Sequence, residues 1–417
     1  MKRIMTSILV ILSIGVANGQ EDQMPHRIVL SWEQDPATSV SVTWRLVRPP
    51  VAASAQIVRL GGWARTFADS AKTVPANALQ IKTSEGKTVT HYTARFSSLQ
   101  PGTSYAYRVG GESAWSEWNT FRTAADASQP FSFLYLGDVQ NDIYSQFSPL
   151  ARTLYADSPH SRFLLLAGDL VNRGQDDDDW REFFSAFGFI TRTMPMLAAA
   201  GNHDSNQATN DIQGHSVADP LYLGHFAFPE NGPDSPYCRE LTYCLDYQCV
   251  RLVVLNSNSF RFAPQLSWLD SVLANNSKSW TVVCFHHPVY STGGDRDNAE
   301  LRAAFAPLFE KHGVDLVLQG HDHRYGRTGK ILQNRMAPDG AKAPIYIVSV
   351  SGPKMYQHNN KFAHLMRREV GETQLYQIIT VNPLRLEFVC KSLDGRVVDS
   401  FVLQKQNKGK RLIESPR

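Results

Sequence analysis

Five apolar runs in the last two-thirds of this 417-residue chain each stop on a short polar cluster. "LYLGDVQND" ends on Asp138 and Gln140, and "LLLAGDLVNRG" on Asp169, Asn172 and Arg173. "LAAAGNHD" ends on Asn202, His203 and Asp204, "VVCFHHP" on His286 and His287, and "LVLQGHDH" on His321 and His323. The runs are short and almost wholly apolar, as strands buried on both faces are, and helical patterns separate them. That grammar predicts an α/β layered fold from Phe131 onward. One run ending on Asp or His is an ordinary turn. Five imply more, because open α/β sheets gather ligand-binding groups outside the carboxyl ends of their strands.

Upstream the pattern has period two. "RIVLSWE", "VSVTWRL", "AQIVRL", "THYTARF" and "SYAYRVG", punctuated by "DPATS" and "QPGTS", predict an all-β sandwich over residues 20–125. "LQPGTSYAYRV" resembles the late strands of a fibronectin type III-like module, and "TAADASQP" (Thr123–Pro130) reads as a linker. The α/β domain is then expected over 130–405, with 406–417 a basic, solvated tail. At the other end, Lys2 and Arg3 precede an apolar run from Ile8 to Val16, followed by Ala17-Asn18-Gly19. This is the pattern of a signal peptide over 1–19, and it predicts a secreted or periplasmic protein; no later run is apolar enough to span a bilayer. Export permits disulfides, so a bridge from Cys249 to Cys244 or to Cys238 is expected near the apparent hairpin. The formal charge of +3 gives no nucleic-acid footprint.

Two helices are legible. "DDDDWREFF" reads as an acidic helix start with Trp180, Phe183 and Phe184 turned inward, and "DNAELRAAFAPLFEKHG" as a helix opened by a capping box of Asp297 and Glu300. Its apolar face is Leu301, Phe305, Leu308 and Phe309, and Gly313 stops it.

Gathered at one sheet edge, the five clusters offer carboxylates, amides and imidazoles but no thiolate, a donor set for Mn, Fe, Zn or Co. Two aspartates and several histidines converging with too few Arg or Lys leave negative charge that cations neutralise. A shared carboxylate can hold two ions at the spacing that activates water and clamps a phosphoryl group.

In order, GD, GDxxN, GNHD, HxP and GHxH resemble the calcineurin-like metallophosphoesterase superfamily over residues 131–325. The preceding β-domain resembles that of its purple acid phosphatase-like branch. The resemblance implies a four-layer αββα sandwich and an exported phosphoesterase that hydrolyses monoesters or diesters by in-line attack of a metal-bridged hydroxide. It implies that Asp169 bridges two ions. Asp138 and His323 complete the first site, and Asn202, His286 and His321 hold the second. His203 meets substrate and protonates the leaving oxygen, and Arg173 grips phosphate. His286 rather than His287 takes the ligand position because Pro288 follows.

Two positions depart. The tyrosine that ligates ferric iron in purple acid phosphatases is Asn172, so no purple tyrosinate–iron centre is expected. The histidine that many members place two residues after the first aspartate is Gln140, whose amide either ligates or only hydrogen-bonds. Both remain candidate ligands, with divalent Mn, Zn or Fe favoured over ferric iron. The loop "YSTGGDRDNAE" lacks the histidine pair of plant-type members, leaving Asp295 or Arg296 as stand-ins. "SVSGPKMYQ" (Ser349–Gln357) is expected to form one wall. The loop from Asp204 to Gly232 is expected to cover the site, with His215 and His225 ordinary loop residues. The rival class is a non-catalytic surface protein on a decayed scaffold; retention of the Asp, Asn and His set speaks against it.

Overall fold

Alternation decides which face each strand buries, and here it resolves two domains. The computed structural model describes residues 24–46, 52–61, 67–111, 114–205, 218–259, 262–338, 340–406 and 409–414. The expected signal peptide, 1–19, and His215 lie outside the described residues. The first domain is a sandwich of two four-stranded antiparallel sheets. One runs β1 (His26–Ser31), β2 (Val40–Leu46), β6 (Thr88–Phe96), β5 (Asn77–Lys82). The other runs β4 (Lys72–Pro75), β3 (Ala53–Arg59), β7 (Ser104–Gly111), β8 (Asn119–Arg122).

The second domain holds two larger sheets. The first runs β11 (Met196–Ala198), β10 (Leu164–Leu166), β9 (Phe131–Leu136), β20 (Leu375–Val381), β21 (Arg385–Ser392), β22 (Val397–Lys405), β23 (Lys410–Glu414). The second runs β12 (Tyr243–Tyr247), β13 (Val250–Val254), β14 (Trp280–Cys284), β15 (Leu316–Gln319), β18 (Ile345–Val348), β16 (Tyr325–Leu332), β17 (Arg335–Met336), with β19 (Met366–Val370) also on β16. Strands β9, β10 and β11 are parallel, as are β13, β14, β15 and β18.

Why those runs are apolar throughout is visible in the packing. Leu252, Val254, Val282, Cys284, Leu316 and Leu318 point into the core between the sheets. The intervening Val253, Val283 and Val317 face a second core under the helices Ala263–Ala274 and Ala299–His312. The helix Ser148–Asp157 packs on β20 of the other sheet, burying Leu150 and Leu154. The order is therefore helix, sheet, sheet, helix. The Tyr135 hydroxyl on β9 donates to the Gln319 carbonyl on β15, tying one sheet to the other. No helix among the described residues is long and apolar enough to cross a membrane.

Several local expectations change. The helix Asp177–Phe187 forms with Asp176 as its cap and Trp180, Phe183 and Phe184 buried. In Ala299–His312 the cap position falls on Asn298, with no side-chain cap bond. Asp297 instead pairs with Arg302 and Lys361, each at 2.7 Å. All five cysteines are free. The hairpin places Cys244 opposite Val253, on the side packed under the helices, while Cys249 joins the core between the sheets, so the two face apart. The basic tail is not wholly solvated: Lys410–Glu414 forms β23, with Lys410 on buried Asp315 and Glu414 on Arg327.

Candidate metal centre

Parallel pairing aligns strand ends, so the residues just beyond β9, β10, β11, β14 and β15 converge. Two triads result, and Asp169 belongs to both. Asp169, His286 and His321 form one, and Asp138, Asp169 and His323 the other, with ligand atoms inside each within 4.8 Å of one another. Two glycines permit the approach. A Cβ on Gly201 would overlap the Asp169 carboxylate, and one on Gly320 the Asp138 carboxylate. Asp169, His321 and His323 have φ of 51°, 74° and 48°. Left-handed backbone at three neighbouring non-glycine positions is strain of the kind that gathers at functional sites.

Backbone contacts fix the side chains. Asp138 Oδ1 accepts the His321 amide at 2.7 Å, and Asp169 Oδ1 accepts the His203 amide at 2.9 Å. His286 gives its Nδ1 hydrogen to the Ala167 carbonyl at 2.8 Å, and His323 gives its own to the Lys354 carbonyl at 3.0 Å. A carbonyl only accepts, so in both rings Nδ1 carries a hydrogen and Nε2 is the atom turned to the cluster. His286 Nε2 faces Asn202 Oδ1 at 3.1 Å and Asp169 Oδ2 at 3.3 Å. His323 Nε2 stands 3.1 Å from Asp138 Oδ2, and no hydrogen-bond donor reaches that buried oxygen. Acceptors that face acceptors need a cation between them.

The charge states follow. Burial raises the Asp138 carboxyl to about 7, with His286 opposing and the Asp169 charge adding to the rise. Burial would also raise Asp169, but the His286 charge and hydrogen bond overcome it and hold Asp169 low. Burial lowers His286, yet the two carboxylates prevail and lift it to about 9. Burial, then the Lys354 ammonium, lower His323 to about 3. The cluster thus already collects positive charge as protons. O- and N-donors of this kind fit Mn, Zn or Fe ions, with the carboxylate of Asp169 as the shared donor.

Gln140 is fully buried and lies inside the cluster. Its Nε2 donates to Asp169 Oδ2 at 2.7 Å and to His323 Nε2 at 3.1 Å, while its Oε1 has no partner. Asn172 and Arg173 do not join it. The Asn172 side chain accepts from Asn141 at 3.1 Å, and its carbonyl takes His203 Nδ1 at 2.6 Å. Arg173 is 55% exposed and pairs with Asp176 and Asp179 on the acidic helix start, at 2.5 and 3.0 Å. His287 bonds Ser257 at 2.9 Å and packs on His321, beside the ligand atoms. His225 lies elsewhere, buried against Trp180 and His91.

Two aspartates without an assigned role turn out to hold the loops. Asp204 accepts Leu170 and Gly201 amides at 2.9 and 2.8 Å, clamping the Asp169 loop to the Asn202 loop. Asp322 accepts the Ser291 hydroxyl and the Thr292 and Gly293 amides. Each sits inside a recognisable motif, GNHD and GHDH, and that position was their only signal.

With this geometry the comparisons are direct. Residues 131–325 match the calcineurin-like phosphoesterase family, and residues 25–123 match the purple acid phosphatase N-terminal domain. An uncharacterised protein of Mycobacterium tuberculosis is 29% identical over 270 residues, 56% of this chain and 50% of that protein. Purple acid phosphatase 15 of Arabidopsis thaliana is 27% identical over 296 residues, 62% of this chain and 52% of that protein. The chain thus spans about half the length of these curated relatives. The solved structure of a purple acid phosphatase from yellow lupin (Lupinus luteus) seeds superposes with a TM-score of 0.79 at 18% identity, covering 92% of this chain and 75% of that one. That likeness establishes the fold. The chain thus joins a purple acid phosphatase N-terminal domain, all β, to a calcineurin-like phosphoesterase domain.

Proposed function

We propose that this protein is an exported phosphoesterase that hydrolyses phosphate monoesters or diesters at a two-metal centre. The observation that carries the reading is the sharing of Asp169 between two ligand triads. Asp138, Asp169 and His323 would hold one ion, and Asp169, Asn202, His286 and His321 the other. When bound, the ions supply an acidified water and electrostatic relief of charge on the phosphoryl oxygens. Export rests on the pattern of Lys2, Arg3 and the apolar run behind them.

The chain's own residues do the rest. His203 is oriented by the Asn172 carbonyl on Nδ1, which leaves Nε2 to carry a proton to the leaving oxygen. Asn172 thereby serves the proton donor through its backbone rather than a metal through its side chain. Gln140 is placed to answer metal loading. Half a turn of its amide exchanges the donor facing Asp169 and His323 for Oε1, an acceptor suited to a cation. With Asn172 where a tyrosinate would stand, the loaded protein should be colourless.

The test is hydrolysis of p-nitrophenyl phosphate and its diester by metal-loaded protein. Asp169→Asn and His321→Ala are expected to abolish turnover; an unchanged rate in either sinks the assignment. His203→Ala should slow turnover by roughly 10²–10⁴-fold while metal content stays at the wild-type level.

A further inference from the structure

Beside the metal centre, two cations share one aromatic ring. The Arg296 guanidinium lies 4.8 Å from the Tyr356 ring centre, and the Lys354 ammonium 5.4 Å from the same centre. The Tyr356 ring meets His323 edge-on at 4.6 Å. Both residues are tied to the last motif. Arg296 Nη1 donates to the His321 carbonyl at 2.8 Å, and the Lys354 carbonyl holds His323 Nδ1. Their loops are zipped together by the Gly294 amide on the Gln357 carbonyl at 2.9 Å and by the Asn359 side-chain amide on the Arg296 carbonyl at 3.0 Å.

The charge there is not balanced. Asp322 is the carboxylate nearest Arg296, at 3.5 Å, and it is already committed to Ser291, Thr292 and Gly293. Among the described residues no carboxylate lies within ion-pair distance of Lys354, and no protein acceptor engages Arg296 Nε or Nη2. Two like charges no more than about 10 Å apart repel in the free protein, and an arriving anion turns that cost into attraction. Among the described residues, neither side chain hydrogen-bonds a ligand atom. Arg296 stops at the His321 backbone, and Lys354 contacts the ring that packs on His323. They are therefore placed to meet the leaving-group side of a substrate rather than the phosphoryl group under attack.

We infer that Arg296 and Lys354, braced by Tyr356, form an anion subsite that selects phosphate esters whose leaving group carries a second anionic group, a carboxylate or another phosphate. The planar fork of Arg296 suits such a group in two-point contact, and Lys354 adds a point charge. This rests on the phosphoesterase reading above and narrows its substrate class.

The experiment uses the metal-loaded full chain and two non-hydrolysable probes, phenylphosphonate and 4-carboxyphenylphosphonate, with dissociation constants from calorimetry. Wild type should bind the carboxylated probe about tenfold more tightly. Arg296→Gln and Lys354→Met should each reduce that preference to less than about threefold, with metal content by elemental analysis at the wild-type level. The KM ratio of phenyl phosphate to 4-carboxyphenyl phosphate should change in parallel. Lys354→Met keeps the carbonyl that holds His323, so a folding defect in the arginine variant would not obscure the result. Equal affinity of wild type for both probes overturns the subsite, as does a preference that both variants retain. Failure of both probes to bind the loaded chain overturns the phosphoesterase reading itself, and the subsite with it.

Discussion

Two buried polar clusters in this molecule have opposite surpluses. At the metal centre the atoms without partners are acceptors, Asp138 Oδ2 and Gln140 Oε1. At the junction of the two domains they include a donor, the Arg45 guanidinium Nε. There Arg27 and Arg45 converge on Asp177 at the start of the acidic helix, Arg27 at 2.7 Å, and Arg27 also contacts His225 at 3.3 Å. The Thr43 hydroxyl donates to the His225 carbonyl, and Trp180 stacks on the His225 ring at 4.7 Å. The sign of the surplus decides what each cluster can accept. The metal centre gathers cations, whereas the junction, with two arginines for one carboxylate, rejects further protons. One region is completed by something from outside the chain; the other is closed by the chain itself.

The contrast can be broken first at the metal centre. Asp138→Asn removes a charge that the cations need, and activity of metal-reconstituted protein should fall on the order of 10³-fold, with loss of bound metal. At the junction, Asp177→Ala leaves two buried arginines without a carboxylate. Urea unfolding should then show a loss of roughly 3–5 kcal/mol; a loss within the error of the measurement would mean the pair is solvated.

Acid sharpens the comparison. From an ordinary 6.5, burial and then the arginine charges lower His26 and His91 to about 3, and burial and then His91 lower His225 well below its usual range. The folded values lie below the unfolded one, so the unfolded chain binds the extra protons. Stability from these rings is complete above about 6.5 and is lost as pH falls towards 3, at up to roughly 1.4 kcal/mol per pH unit for each ring. Thermal midpoints taken from neutral pH downward should decline, less steeply in His91→Gln; a flat profile contradicts neutral burial. Asp177 adds a second, more acid step. Burial raises it, but the Arg45 and Arg27 contacts prevail and lower it to about 2, so its contribution is present above about 4 and lost below that. The smallest effect belongs to Arg173→Ala, where an exposed guanidinium on a helix start should change stability by less than about 0.5 kcal/mol. A large rise in KM instead would show that Arg173 swings to substrate.

The two clusters also differed in how much the sequence disclosed. The convergence of the candidate ligands was legible because each follows an apolar run whose parallel pairing fixes where its end lies. The junction was not. In "VSVTWRL", Ser41, Thr43 and Arg45 alternate with apolar residues as a solvent face would, yet β2 is buried at every position because the second domain covers that face. Period shows which residues share a face and says nothing of what lies over it. Asn172 and Arg173 have other side-chain partners for a related reason. They follow Asp169, whose positive φ turns the chain, and adjacency in sequence did not carry their side chains to the cluster. Asp204 and Asp322 were visible in their motifs, but only the amides they accept reveal their work as clamps.

The central claim is that one carboxylate serves two ions, and metal stoichiometry tests it most directly. Protein reconstituted with Mn, Zn or Fe(II) and desalted should retain two ions per chain by elemental analysis, and Asp169→Asn should retain fewer than one. Two ions in Asp169→Asn, or no more than one in the wild type, would contradict a shared Asp169 and the two-metal chemistry built on it.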